Sequence, residues 1–409
     1  MKNKIDTFLG IDDARKRVTD AAKKVGTCQI PLGEATGRIL AMDVVAKENV
    51  PSFDRSPLDG YAYRSCDVKN ASFENPVTLK VIDYIAAGDV SHAPVTENTA
   101  VRLMTGAPIP EGADCVCKYE DTEFSETEVK IFTPAKSGEN IIKVGEDVKE
   151  GTLLAKDGMR IDSGIMGTLA GQNILYPTVY EQITAGIIAT GSELVAVGNE
   201  PGPGMILDTN EYTLTGAMEQ LGFKVIRYGI VDDTVEAISD VLNKALKECN
   251  VILITGGASV GDFDVTPEAM ENVGIKLLFA GVDMKPGKAC EYGVFEDKLI
   301  CGLSGHPSSS LTNLLIIGLE GLRKMMGLSD YELKETSLVL ANDFGKQSKG
   351  DRVIRGSLLV EDGVAKIQVP KGQGNVMISQ TIGCDCLAVV PSGSGSLTAG
   401  TKLRGYTVR

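Results

Sequence analysis

The chain has 409 residues, 43% of them hydrophobic, and a formal net charge of −14. The length predicts several domains of a globular protein, and the acidic balance argues against a nucleic-acid partner, which needs a basic surface. No apolar run approaches the roughly 20 residues of a membrane span, and the start, MKNKIDTFLGIDDARKR, has no apolar signal segment. These features predict a cytoplasmic protein without a membrane partner.

The first part of the chain predicts a helical and extended N-terminal domain, residues 1–50 and 148–180, that is interrupted by a β-rich module, residues 51–147. IDDARKRVTDAAKKV has the 3.6-residue period of an amphipathic helix that continues to Val25. IDSGIMGTLAGQ predicts a second, short helix. In the module, strand-like runs alternate with Gly, Pro and Asp turns: VTLKVIDYI, AVRLMTG, CVCKYE and EVKIFT.

Residues 181–328 alternate between strand and helix patterns, which predicts a doubly wound α/β domain. ITAGIIA, KVIRYGI and VILIT are predicted strands. The predicted helices end at Gly222, begin at a cap supplied by Asp233 or Thr234, and end near Gly327. Five strand patterns follow and predict a small β-barrel or sandwich over residues 329–409: ETSLVLAN, RVIRGSLLV, VAKIQVP, CLAVVP and TKLRGYTVR.

Four loops should stand at the carboxyl ends of the α/β strands, where such sheets bind ligands. They are Thr190–Glu193, Asp232-Asp233, Thr255–Asp264 and Gly302–Ser308. Each alone is typical of an ordinary turn. Together they place small donors and carboxylates on one edge of one sheet, which predicts a crevice for phosphate and metal.

The chemistry of these loops favours a phosphate that arrives with Mg²⁺. Glycines let backbone N–H groups approach phosphate oxygens, and Mg²⁺ bridges carboxylate to phosphate. The candidate phosphate contacts are Gly256, Gly257, Ser259, Gly261, Ser304 and Ser308. The candidate carboxylates are Glu193, Asp233 and Asp264, whereas Asp262 either joins them or caps the next helix.

Two further groups of residues leave alternatives open. In MKPGK, Lys285 and Lys288 flank a rigid turn, either as solvated charges or as an oxyanion site. The cysteine pairs at 115/117 and 384/386 lack the usual zinc spacing and predict reduced, mostly buried thiols. The chain has only two histidines, so a His-based metal site or a Ser–His–Asp triad has little support.

The ordered motifs of the chain resemble those of the molybdopterin molybdenumtransferase family, the MoeA-like family that includes the E-domain of gephyrin. These motifs are PSFDRSPLDGYAYR, RLMTGAPIPEGAD, GEDV, ATGSEL, DTN, TGGASVGDFD, KPGK and GLSGHPSS, spread over nearly the whole chain. The resemblance implies an α/β plus β fold: a MogA-like α/β domain, a β-rich insertion, the N-terminal domain and a C-terminal β-barrel.

The resemblance also implies an activity. Such enzymes take adenylylated molybdopterin, release AMP and insert molybdate into the dithiolene, with Mg²⁺ assisting. They are homodimers whose active site is shared between the α/β domain of one subunit and the β-rich module of the other. A molybdopterin adenylyltransferase and recipient molybdoenzymes are the implied protein partners.

The resemblance implies catalytic roles for five residues: Asp59, Thr105, Asp147, Lys285 and Lys288. Asp59, which by itself is only part of an Asp-Gly turn, matches the aspartate of the DGYA motif. Thr105 and Asp147 match the MTGAP and GED motifs, and the three crevice carboxylates match the acidic positions of the α/β domain. Lys285 and Lys288 match lysines assigned to molybdate or pyrophosphate. Arg355 and Ser379 resemble positions near the molybdate site.

The chain departs from the family pattern at a few positions. Ser304 and His306 replace Pro and Asn, Ala289 follows KPGK, Gly281 stands where a basic residue is common, and Asn375 stands where Ser is frequent. These changes leave the choice between molybdate and tungstate open. Two alternative functions also remain: a molybdopterin adenylyltransferase, against which the DGYA module argues, and a non-catalytic binding or scaffold protein.

Overall fold

The computed structural model describes residues 6–256 and 265–408. The chain divides into two compact units, one formed by Met1–Met42, Asp157–Ser163 and Tyr176–Arg409, the other by Asp43–Lys156 and Gly164–Leu175. The four domain boundaries expected from the sequence stay a prediction. Along the described residues, no helix combines the length and the apolar character that crossing a membrane requires.

Strands predominate up to residue 180 and again from residue 335, and helices alternate with strands between these two parts. The strands up to residue 180 are β1 (Thr7–Leu9), β2 (Thr27–Gln29), β3 (Val44–Val45), β4 (Gly60–Tyr63), β5 (Val77–Ile85), β6 (Thr99–Leu103), β7 (Cys115–Lys118), β8 (Thr122–Phe124), β9 (Glu128–Ile131), β10 (Leu153–Ala155) and β11 (Thr178–Tyr180). The later strands are β12 (Thr184–Thr190), β13 (Leu194–Val195), β14 (Ile206–Leu207), β15 (Lys224–Val231), β16 (Val251–Thr255), β17 (Lys276–Val282), β18 (Met284–Lys285), β19 (Cys290–Phe295), β20 (Lys298–Leu303), β21 (Glu335–Leu340), β22 (Asp351–Glu361), β23 (Val364–Gln368), β24 (Cys386–Val390) and β25 (Lys402–Thr407). The α-helices are α1 (Ile11–Ala21), α2 (Ser163–Gly171), α3 (Asn210–Leu221), α4 (Val235–Glu248), α5 (Thr266–Asn272), α6 (Pro307–Asn313) and α7 (Leu319–Met325).

The centre of the first unit is a seven-stranded sheet in the order β1-β17-β19-β20-β16-β12-β15. All neighbours pair in parallel except β19, which is antiparallel to both β17 and β20. This arrangement confirms the predicted α/β fold. Strand β16 is buried throughout because it is covered on both faces: Val251 and Leu253 belong to one core cluster, Ile252 and Ile254 to the other.

The helices of this unit largely follow the sequence patterns. Helix α3 ends at Gly222, which adopts a left-handed conformation with φ of 92°, and the side chain of Thr234, not Asp233, caps α4. Helix α1 is shorter than predicted, because it ends at Ala21 and the amide of Val25 instead donates to the carbonyl of Met325. The last predicted helix is present, but a π-helical turn at Leu314–Gly318 joins α6 to α7.

The C-terminal strands form a closed five-stranded barrel in the order β22-β23-β21-β25-β24, with β24 pairing back to β22. The barrel has its own core, which includes Ile354, Ile367 and Ala388. The β-barrel predicted for this region is therefore confirmed. Strand β18 pairs with β22 at Lys285↔Arg352, so the lysine-bearing MKPGK segment contacts the barrel edge.

The second unit contains a six-stranded sheet in the order β7-β4-β6-β5-β9-β8. The four strands predicted in the β-rich module are present as β5, β6, β7 and β9. Strand β4 lies between β6 and β7 and is buried throughout, with Tyr61 and Tyr63 on one face and Ala62 on the other. It directly follows Asp59, so the rigid centre of the sheet fixes the backbone next to this carboxylate.

Candidate active site

The register of the α/β sheet brings the predicted loops to one edge. Thr190 pairs with Val231, and Ala189 with Thr255 at the end of the neighbouring strand. Thr255 in turn pairs with Leu303. Four parallel strands therefore end side by side, as predicted. One boundary was wrong: β20 continues through Gly302 and Leu303, because both extend its pairing with β16 and β19, and the loop begins at Ser304.

Gly256 makes the closest backbone approach at this edge. Its φ is +94°, and a Cβ added to it would lie 1.7 Å from the carbonyl oxygen of Thr190. A Cβ at Gly305 would lie 3.6 Å from the Cα of Gly256, so the backbones that follow β16 and β20 are in contact. Glycine is therefore required at 256 by sterics. The remaining predicted residues of this loop lie outside the described residues: Gly257, Ser259, Gly261, Asp262 and Asp264.

Two of the predicted carboxylates flank Thr190. The Thr190 hydroxyl donates to Asp233 Oδ1 at 3.0 Å. The Glu193 carboxylate folds back over Gly191, where an added Cβ would lie 2.8 Å from Oε2. Both acidic residues are exposed. One or two carboxylates together with substrate phosphate oxygens are a usual Mg²⁺ ligand set, so this donor set fits the ion, although residues 6–256 and 265–408 contain no group of three His, Cys, Asp or Glu placed to hold a metal.

Asp208 is a buried carboxylate at the same edge that the sequence interpretation did not select. Its Oδ1 accepts hydrogen bonds from the amides of Asn210 and Glu211 at the start of α3. Its Oδ2 is buried without a partner among the described residues. The Asn210 side chain donates to the carbonyl of Gly305 at 2.8 Å, which ties this segment to the fourth loop. The sequence did contain a signal for this carboxylate, because Asp208 is the first residue of the DTN motif.

The MKPGK lysines lie beside these loops. Cys290, the first residue of β19, pairs with Leu303 at the end of β20, so the turn that precedes Cys290 reaches the same edge. The backbone of this turn is fixed, because the carbonyl of Lys288 accepts from the amide of Val282 at 3.0 Å. Both Lys285 and Lys288 are exposed, and neither is in an ion pair with another described residue.

Arg355 is a buried cation whose guanidinium is only partly satisfied. The side chain is 2% exposed, and Nη1 donates to Thr312 Oγ1 at 3.0 Å and to the Ser308 carbonyl at 3.4 Å. Nε and Nη2 are buried without partners among the described residues. Burial lowers the pKa of this guanidinium. Gln373 holds its backbone through two hydrogen bonds, so Arg355 is fixed in place while two donors remain available.

The predicted serines occupy different environments. Ser308 is fully buried, and its hydroxyl donates to the carbonyls of Gly374 and Asn375, which joins the start of α6 to the barrel. Ser304 is nearly buried and lies 3.3 Å from His306 Nδ1. Ser379 is exposed in a short 3₁₀ turn. The predicted substrate contacts of these three serines stay predictions.

The second unit carries its own cluster of candidate site residues around Asp59. Asp59 Oδ1 accepts from both the amide and the hydroxyl of Thr105 at 2.7 Å. These bonds, and the charge of Arg102, lower the pKa of Asp59. Two of the predicted catalytic residues are therefore in direct contact. Asp147 is separate: its amide donates to Val50, at the opposite end of the segment that leads to Asp59.

Arg102 is a further residue of this cluster that the sequence interpretation missed. Its guanidinium carbon lies 4.9 Å from the ring centroid of Tyr119, 5.4 Å from that of Tyr84 and 5.7 Å from that of Phe124. Cation–π contacts of this kind fix a guanidinium in place. Arg102 precedes Thr105 in the RLMTG motif, but only the tertiary structure reveals the aromatic rings around it.

The cysteines add little chemistry. All nine cysteines are free, and Cys115 and Cys386 are buried while Cys117 and Cys384 are half-buried. Burial raises the pKa of Cys386 to about 12 and that of Cys117 to about 11, which keeps these thiols protonated at neutral pH. Of these four cysteines, two are thus buried and two half-buried, and that they stay reduced remains a prediction.

Two family models match consecutive parts of the chain. The model of the MoeA N-terminal region (domain I and II) matches residues 9–172. That of a probable molybdopterin binding domain matches residues 186–324. The first covers the whole Asp59 cluster, and the second covers the sheet edge that bears Glu193, Gly256 and Lys288.

Similar proteins match over almost the entire chain. The molybdopterin molybdenumtransferase of Staphylococcus epidermidis is 35% identical over 395 residues, 96% of this chain and 94% of its own. That of Bacillus subtilis is 34% identical over 414 residues, 98% and 95% of the two chains. The crystal structure of a molybdopterin biosynthesis MoeA protein from Pyrococcus horikoshii superposes with a TM-score of 0.83, 30% identity and coverage of 98% and 100%. The chain therefore belongs to the molybdopterin molybdenumtransferase (MoeA) family.

Proposed function

We propose that this protein inserts molybdate into adenylylated molybdopterin and releases AMP in the biosynthesis of the molybdenum cofactor. Water cleaves the bond between the two phosphates, so that AMP leaves and molybdopterin keeps its own phosphate; the two dithiolene sulfurs bind molybdate, and the displaced oxygen leaves as water with the thiol protons. The proposal rests on membership in the family, on the names of relatives such as that of Staphylococcus epidermidis, and on the chemistry of the residues described above.

The observation that carries the proposal is the presence of opposite charges along one sheet edge. Glu193 and Asp233 flank Thr190, whereas Lys285 and Lys288 lie in the turn that reaches the end of β20. A nucleotide phosphate bound with a divalent cation suits the first pair, and a tetrahedral oxyanion suits the second. The substrate contains a pyrophosphate and a dithiolene that receives molybdate, so its site needs both the carboxylates and the lysines.

Each group at the edge then has a proposed task. The backbone at Gly256 approaches the phosphates, and Glu193 and Asp233 hold Mg²⁺, which neutralises phosphate charge when bound. Asp264 is proposed for the same task from the sequence alone. Lys285 and Lys288 attract molybdate, and the unpartnered nitrogens of Arg355 provide fixed donors for an oxyanion.

The Asp59 cluster is proposed to complete the site in a cytoplasmic homodimer. Its carboxylate is exposed and, because its pKa is lowered, ionised at neutral pH. The family resemblance supplies the idea that Asp59, Thr105 and Asp147 act on substrate held by the α/β domain of the partner subunit. Such a shared site makes the second subunit necessary for catalysis.

A reconstituted reaction tests the proposal. Purified protein is mixed with adenylylated molybdopterin, Mg²⁺ and molybdate, and AMP release and reactivation of an apo-molybdoenzyme are followed, with tungstate in parallel. We expect AMP release that depends on molybdate and is accompanied by reactivation. Tight binding without AMP release would instead indicate a binding protein, and transfer of AMP from ATP to molybdopterin would indicate an adenylyltransferase.

A matched pair of variants tests the role of Asp59. Asp59→Ala should retain the fold, because the side chain is exposed, but lose metal insertion. Asp121→Ala removes another exposed aspartate of the same unit and should leave insertion unchanged. Normal insertion by Asp59→Ala would overturn the assigned role.

A further inference from the structure

An unusual pairing joins the edge strand β1 to β17. Thr7 pairs with Ala280 and Leu9 with Val282, so Phe8 and Gly281 face each other between the paired residues. Both have a positive φ, 59° for Phe8 and 79° for Gly281. Glycine adopts this conformation readily, but a bulky aromatic residue does so only at a cost in conformational energy. The strain at Phe8 therefore calls for an explanation.

Gly281 provides the space that the Phe8 ring occupies. A Cβ added at Gly281 would lie 2.9 Å from both Cδ1 and Cε1 of Phe8 and 3.5 Å from the carbonyl oxygen of Lys288. Hydrogen bonds on both sides hold strand β1 in place: the amide of Ala280 donates to the backbone carbonyl of Asp6, and the amide of Asp283 donates to that of Leu9. The ring is thus fixed against the turn that carries the lysines, although it is 42% exposed to solvent.

The Lys288 ammonium lies directly over this ring. Its Nζ is 4.3 Å from the ring centroid of Phe8, the shortest of the cation–π distances among the described residues. A free lysine side chain samples many rotamers, and fixing one costs conformational entropy. The ring offsets part of that cost by attracting the ammonium to its negative face. Lys285, the other lysine of the turn, is not among the cations placed over a ring.

We infer that Phe8 is a positioning residue for Lys288, holding its ammonium at the sheet edge where a tetrahedral oxyanion binds. The inference rests on the proposed function, in which the lysines of this turn bind molybdate, and adds a residue from the first strand of the chain to that site. The strained conformation of Phe8 and the glycine at 281 together place the ring under the ammonium.

The experiment compares Phe8→Leu with Phe8→Tyr in the full-length protein. Leucine keeps an apolar side chain but removes the aromatic face, whereas tyrosine retains it. Binding of molybdate, and separately of inorganic phosphate, is measured by calorimetry without molybdopterin. We expect Phe8→Leu to weaken molybdate binding roughly two- to fivefold, the ratio that corresponds to a surface cation–π contact, and Phe8→Tyr to bind as the wild type does. If the affinity for phosphate falls equally, the site is a general oxyanion site. If only the affinity for molybdate falls, the site is selective for molybdate. Both results support the inference.

Two further readouts separate positioning from a merely structural role. In the Lys288→Ala background, Phe8→Leu should cause no additional loss of binding. Competitive acetylation followed by mass spectrometry should show Lys288 becoming more reactive in Phe8→Leu, with Lys285 as the internal reference. Phe73→Leu removes a phenylalanine that is 77% exposed in the other unit and should change neither readout.

Unchanged molybdate binding and unchanged Lys288 acetylation in Phe8→Leu would overturn the inference, as would an equal loss of binding with and without Lys288. Neither measurement requires turnover. Phe8-dependent binding of molybdate by a protein that never releases AMP would therefore refute the proposed function while supporting the role of Phe8.

Discussion

Replacement of Arg355 by methionine separates stability from function. The substitution removes hydrogen bonds to Thr312 Oγ1 and the Ser308 carbonyl, each worth about 1.5–3 kcal/mol for a charged donor. It also removes a buried charge with two unpartnered nitrogens, whose desolvation costs several kcal/mol. Since these terms oppose each other, we expect the free energy of unfolding of Arg355→Met to stay within about 2 kcal/mol of the wild-type value.

The functional consequence should be much larger. If the two unpartnered nitrogens bind an oxyanion, molybdate stabilises the wild-type protein more than Arg355→Met, which retains only Lys285 and Lys288 for molybdate. At a molybdate concentration about 100 times the dissociation constant, the stabilisation is about 2.7 kcal/mol. Urea unfolding with and without molybdate measures it, and AMP release from adenylylated molybdopterin should fall in parallel. Arg355→Lys serves as the control, because it keeps the charge but not the planar set of donors.

Two results would refute this reasoning. A loss of more than about 4 kcal/mol of stability in Arg355→Met would show that the guanidinium has a mainly structural role. Losses of this size are typical when a buried charged contact is broken. Equal stabilisation of wild type and Arg355→Met by molybdate would show that the unpartnered nitrogens do not bind it.

Two more predictions concern Thr105 and Gly256. Thr105→Val removes the hydroxyl bond that helps to lower the pKa of Asp59, so the acid limb of the pH–activity profile should move to higher pH, whereas Thr105→Ser should leave it in place. Gly256→Ala would set a Cβ 1.7 Å from the carbonyl oxygen of Thr190 at a φ of +94°. We therefore expect the substitution to lower the free energy of unfolding, measured in urea, by more than about 2 kcal/mol. An unchanged urea midpoint would contradict the steric argument.

Local sequence signals were sufficient for elements that depend on local physics. VILIT could be predicted as a strand buried on both faces because it is entirely apolar and short, and Gly222 could be predicted as a helix end because it needs a positive φ there. The meeting of the four loops at one sheet edge could be predicted from the alternation of strands and helices, since neighbouring parallel strands end at the same edge. The motif order then identified the family without any tertiary information.

Other features depend on contacts between distant parts of the chain and left no local signal. Gly302 looks like a loop residue, but its pairing with Ile254 and Glu291 keeps it in β20. The periodicity of α1 continues to Val25, yet a hydrogen bond to Met325 takes that residue out of the helix. Arg102 emerged as a candidate site residue only because folding placed aromatic rings around it.

A complementation experiment tests whether the proposed active site is shared between subunits. Asp59 and Lys288 belong to different compact units of the chain. Asp59→Ala and Lys288→Ala are each expected to be inactive as homodimers. When the two chains are unfolded, mixed in equal amounts and refolded, half of the dimers should combine one chain of each kind. If each site takes Asp59 from one subunit and Lys288 from the other, such a mixed dimer has one intact site, and the mixture should recover about a quarter of the wild-type activity. A site built within a single chain would be defective in every subunit, so an inactive mixture of well-folded mixed dimers, verified by differential tags, would exclude the shared site.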